Sequence, residues 1–101
     1  MPDPRIFPIE RAVDNGGGVV DVSGLILAAN DHRADLEITN DGDYDVWIGR
    51  GNAAVVGLGI FLVNRGGSYT MDTQNLFLGA FHAICDIGED SHVAISEGEW
   101  Q

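Results

Sequence analysis

From residue 33 to residue 39, apolar and polar positions alternate without a break. Ala34, Leu36 and Ile38 stand against Asp35, Glu37 and Thr39. Side chains of an extended strand point alternately to opposite faces. This segment therefore predicts a strand with one face in a core and the other in water. The same rhythm recurs in short runs. Tyr44, Val46 and Ile48 share one face, with Asp45 and Trp47 on the other. Residues 53–56 and 59–63 are apolar on both faces, which predicts strands covered on both sides. Residues 68–71 predict a short strand, and residues 81–87 a run that is apolar apart from His82 and Asp86. In residues 91–96, His92, Ala94 and Ser96 alternate with Val93 and Ile95. Upstream, residues 19–22 and 24–27 predict one interrupted strand or two short ones. Asn/Asp/Gly clusters at 30–31, 40–43 and 64–67 supply the turns. No segment sustains a helical period. The predicted fold is all-β: an antiparallel, jelly-roll-like β-sandwich of about seven to nine short strands.

Residues 1–18 break this pattern. All three prolines fall at positions 2, 4 and 8. Proline removes backbone donors and biases its neighbours toward extended conformations, so this stretch predicts neither a helix nor a central strand. Ile6, Phe7 and Ile9 are too apolar for an idle tail. They predict an extended arm that packs on its own body or on a neighbouring subunit. Gly16, Gly17 and Gly18 read as a flexible joint. The chain thus divides into an arm, residues 1–18, and a sandwich domain, residues 19–101.

A length of 101 residues suits one domain and leaves no room for a separate substrate domain. The 14 glycines fit a fold with many tight turns. Charge changes the picture more. There are 16 acidic residues against 5 basic ones, all of them arginine, for a net charge of −11. Phosphate backbones need a basic patch and anionic membranes attract one, so nucleic acid and membrane are not expected partners. An acidic, lysine-free surface is compatible with high salt, where screening weakens self-repulsion. No apolar run approaches the ~20 residues of a membrane span, and Pro2, Asp3 and Pro4 occupy the place of a signal-peptide apolar region. Cys85 is the single cysteine; within an apolar run it reads as a small buried hydrophobe.

Candidate chemistry is thin. His82 and Cys85 lie three apart in a strand and so face opposite ways. The closely spaced His-X-His plus Glu of cupin-type metalloenzymes is missing. Asp41, Asp43 and Asp45 resemble the start of a calcium loop. However, the sixth and twelfth positions hold Val46 and Asn52 instead of Gly and Glu. The glycines at 49 and 51, and at 57 and 59, open no helix and precede no Lys-Ser/Thr, so phosphate loops fail. Ser68, Ser91 and Ser96 lie in no nucleophile-elbow context. Tyr44, Trp47 and Trp100 could form a sugar platform, but scattered aromatics more often serve core or interface. The residues predict no catalytic centre, metal or cofactor. The expected functional residues are contact residues: Ile6, Phe7, Ile9, Trp47 and Trp100. A small cupin-like enzyme or a sugar-binding module is the competing class.

The order of motifs has a likeness of its own. It runs Arg33-x-x-Leu36-x-Ile38-x-Asn40, an acidic turn, and an aromatic-bearing strand ending in Gly49. Then come small residues, Gly59-Ile-x-Leu62, Gly66-Gly67, a polar strand, Gly79-x-x-His82-Ala-Ile84 and Val93-x-Ile95-Ser-Glu97. This resembles the small β-sandwich virion proteins of tailed bacteriophages and related archaeal viruses. The resemblance implies a capsid decoration (cement) protein, with a tail or fibre-base module as the other virion role. The implied partners are the major capsid protein and further copies of the chain, a trimer ahead of a dimer. The implied place is the capsid surface of a virion, after synthesis in the host cytoplasm. No catalytic residues carry over.

Overall fold

The structure, a computed structural model, describes residues 11–72 and 74–99. Among these, the chain forms eight strands and no helix. They are β1 (Arg11–Val19), β2 (Gly24–Leu27), β3 (Arg33–Asn40), β4 (Val46–Arg50), β5 (Ile60–Leu62), β6 (Ser68–Met71), β7 (Phe81–Ile84) and β8 (Ser91–Glu99). The first sheet has the order β1-β8-β3-β6 and the second β2-β7-β4-β5, with antiparallel pairing throughout. β1 lies near β2 at one edge of the sandwich, and β5 near β6 at the other. The fold is the β-sandwich that the alternation predicts.

Inward positions of β3 and β8 (Leu36, Ile38, Val93, Ile95) meet Val46, Ile48, Leu62, Phe81 and Ala83 of the second sheet. Burying each large side chain here stabilises by roughly 1.5–3 kcal/mol. Two buried polar residues close the ends of β3. Arg33 is 0% exposed. Its Nε donates to Glu97 Oε2 at 2.6 Å, Nη1 to the carbonyls of Phe77 (2.8 Å) and Gly79 (3.0 Å), and Nη2 to Ala28 O (2.8 Å). The guanidinium also lies 5.4 Å from the centroid of Phe81. At the other end Asn40 Nδ2 donates to Tyr44 O and Leu62 O, while Oδ1 accepts from Gly42 N and the Ser91 hydroxyl. Buried polar groups persist where their hydrogen bonds are complete, and both residues tie loops to strands.

Three expectations change. The flexible joint at Gly16–18 is part of β1, which pairs with β8 from Arg11↔Glu99 to Val19↔Ser91. A strand ladder uses backbone N–H and C=O groups, so glycine does not interrupt it. The ordered body therefore begins at least eight residues before Val19. Residues 53–56 form no strand. Ala54 N donates to Ser23 Oγ at 2.8 Å, and positive φ at Gly57 and Gly59 turns the chain back. Finally, β5 is not covered on both faces: Phe61 is 51% exposed.

Candidate functional site

Alternation places one row of side chains on the outer face of the second sheet. Val46, Ile48, Ala83 and Leu62 turn inward, so their neighbours Trp47, Ile84 and Phe61 turn outward. The register sets these three side by side, with Ile84 opposite Trp47 and Trp47 opposite Phe61. The Trp47 and Phe61 rings are 5.4 Å apart, centroid to centroid, and inclined at 52°. Trp47 is half-buried by its neighbours while Phe61 stays exposed. Leu25 of β2 adds a further exposed apolar side chain on this sheet.

Beside this row the 51–59 segment folds over the same face. A Cβ on Gly49 would stand 2.7 Å from the Asn52 carbonyl, so only glycine lets the segment lie so close. Gly59 has φ +81°, and a Cβ there would collide with Ile48 O. Between this segment and β4–β5 lies a cleft of about 390 Å³. Val55, Leu58 and Ile60 supply apolar walls; Arg50 and Asn52 supply the polar ones. Leu58 is 65% exposed. Arg50 stacks 6.0 Å from the Phe77 ring centroid and has no carboxylate partner among the described residues. The other described side-chain guanidiniums are paired, Arg33 with Glu97 and Arg65 with Asp43. His82 neighbours Gly49 in the register, and its buried Nδ1 lacks a hydrogen-bond partner.

The acidic turn is occupied by the protein's own groups. Asp41 meets His92 Nδ1 at 2.6 Å, Asp43 pairs with Arg65 at 3.1 Å, and Asp45 accepts from the backbone and side chain of Asn64. No group of three or more potential metal ligands gathers among the described residues. Cys85 is buried, and its thiol points to Val19 O at 3.6 Å. Burial, followed by the nearby carboxylates of Glu89, Asp90 and Asp21, pushes this thiol up to about 11. That is the opposite of an activated cysteine.

Of the contact residues expected from sequence, Trp47 falls on the outer apolar row. Ile6, Phe7, Ile9 and Trp100 lie outside the described residues. Tyr44 is exposed in the β3–β4 loop, while the ring paired with Trp47 belongs to Phe61. Sequence reasoning missed Phe61, Ile84 and Arg50. Alternation from Leu62 and Ala83 contained the signal for the first two, but continuous apolar runs obscured it. No protein-family model and no curated protein matches this chain.

Proposed function

We propose that this chain is a virion structural protein that decorates the outer surface of a tailed-virus head and stabilises it through symmetric protein contacts. The observation that carries an assembly role is the outward row of Ile84, Trp47 and Phe61. A contiguous aromatic and aliphatic strip on so acidic a domain suits a contact surface. The virion context rests on the sequence resemblance over residues 33–97. Most of the motif residues behind it have scaffold roles, with Arg33 and Asn40 as end plugs and Leu36, Ile38, Leu62, Val93 and Ile95 as core.

The mechanism is additive burial. A stable contact buries roughly 800 Å² per partner, and repeated copies on a symmetric shell add avidity. Each decorated boundary then resists internal pressure through contacts rather than chemistry. The partners are the major capsid protein and other copies of the chain, in a closed homo-oligomer. Binding of the full chain to undecorated capsids tests this reading. Trp47→Glu should abolish occupancy while leaving the fold intact. Deletion of residues 1–10, which spares β1, should reduce occupancy. Undiminished binding by Trp47→Glu would remove the apolar row from the mechanism.

A further inference from the structure

We propose that β1 pairs with β1 of a second copy of this chain, antiparallel across a twofold axis at Asn15, so that two four-stranded sheets join edge to edge. The proposal rests on the self-assembly reading above and names the edge through which two copies meet.

The sandwich presents four edge strands, and β1 differs from the other three. β2, β5 and β6 have four, three and four residues, and the β2 register slips between Leu25 and Leu27. Short or irregular edges resist further pairing. β1 runs nine residues in unbroken register, and among the described residues it pairs with β8 alone. In an antiparallel ladder, alternate residues turn their N–H and C=O groups away from the partner strand. β1 therefore offers a row of these groups to an added strand. Neither proline nor lysine interrupts it, and Asp14 is the one charged residue in 12–18. On a chain of net charge −11, such an edge lets two copies approach with little repulsion.

Burial sets the register. Residues 12–16 and 18 are exposed and Gly17 is half-buried. Val19 is buried, and the carbonyl of Val20 accepts from Cys85 N of the same chain. The open stretch is therefore 12–18, about 24 Å long, with Asn15 at its midpoint. Two such stretches pair along their full length only with Asn15 opposite Asn15. Ala12, Val13 and Asp14 then face Gly18, Gly17 and Gly16 of the partner, and the reverse holds across the axis, as a twofold contact requires. The half of each strand that carries side chains meets the glycine half of the other.

The glycines suit this contact. A glycine inside a strand weakens it and often marks a close approach by another backbone. A Cβ on Gly17 or Gly18 would meet nothing within 4 Å, so space is open there for Val13 and Ala12 of the partner. A Cβ on Gly16 would stand 3.2 Å from the His92 ring. Asp14 of the partner thus comes opposite a glycine and beside His92, and the two Asp14 carboxylates are staggered rather than opposed.

The test is disulfide capture in the full chain, read on non-reducing gels. Main-chain pairing over seven residues makes a small contact, and a disulfide traps it. Opposite residues of an antiparallel pair have Cα atoms roughly 4.5–5.5 Å apart, within the roughly 4.4–6.8 Å that a disulfide spans. Asn15→Cys should therefore cross-link to its own counterpart under mild oxidation. Val13→Cys and Gly17→Cys each leave their two thiols four residue steps apart, about 14 Å along the pair. Each should cross-link about tenfold more slowly, or less. The double variant Val13→Cys, Gly17→Cys brings unlike positions opposite each other and should recover the Asn15→Cys rate to within about threefold. The wild-type chain, whose single thiol is buried Cys85, should stay uncross-linked. Unchanged urea midpoints under reducing conditions show that the variants fold. Equal rates in the three single variants, or a double variant no faster than its singles, would overturn strand pairing. A maximum at Val13→Cys or Gly17→Cys would overturn the axis at Asn15. Capsid occupancy is measured separately. A chain that saturates capsids without the Asn15→Cys cross-link removes the β1 pair and leaves the decoration role standing.

Discussion

Replacing Arg33 with methionine should cost about 3–5 kcal/mol of folding stability, the usual penalty for removing one partner of a buried ion pair. Arg33 is fully buried, and the Glu97 carboxylate it pairs with is almost so. Methionine keeps an unbranched stem that packs in the same space but withdraws every donor. Glu97 is left charged without its guanidinium, and the carbonyls of Ala28, Phe77 and Gly79 lose theirs. A domain of this size has on the order of 5–15 kcal/mol in total, so the variant is severely weakened. With a urea slope of about 1.5 kcal/mol/M, the unfolding midpoint should fall by about 2–3 M. Equilibrium urea unfolding followed by tryptophan emission measures the shift. The double variant Arg33→Met, Glu97→Leu should recover part of the loss. It removes the stranded charge but not the stranded carbonyls, so a coupling of about 1–3 kcal/mol is expected. A loss below about 1 kcal/mol in Arg33→Met, or no coupling with Glu97, would refute the end-plug argument.

Asn40→Ala should cost about 2–4 kcal/mol by leaving Tyr44 O, Leu62 O, Gly42 N and the Ser91 hydroxyl without their shared partner; thermal unfolding reads it. Gly59→Ala should destabilise by more than about 1 kcal/mol, because φ is +81° and the new methyl meets Ile48 O; urea unfolding checks this. The Cys85 thiol is raised from 9.0 to about 11, so folding favours its protonated form. Its contribution is complete below pH 9.0 and is lost as pH rises toward 11, and Cys85→Ala should flatten that part of the stability profile.

Legibility in the sequence followed the physics of each segment. β3 was plain because one face is wet and the other dry, so charge and hydrophobicity alternate residue by residue. Trp47 stood out as an aromatic opposite Val46 and Ile48. β1 was hidden because Gly16–18 have no side chains to show a face; the backbone ladder to β8 is invisible to hydrophobic patterning. The 51–59 segment misled in the opposite sense. Its apolar residues resemble a buried strand, yet they serve a loop that lines a cleft and exposes Leu58. Arg33 could be read only as the start of a strand. Its burial depends on Glu97, 64 residues away, and on three loop carbonyls that no local pattern links to it. That Arg50 has no carboxylate partner among the described residues likewise appears only once the other charges have been placed.

The role proposed for this chain is that of a symmetric component of a virion surface. Density from purified particles, together with the chain's copy number per particle, tests it most directly. A decoration role requires the sandwich on the outside of the head, at positions repeated by the shell's symmetry, with the Trp47–Phe61 row against a protein neighbour. Particles that lack the chain, or that hold it without symmetric contacts, would contradict it.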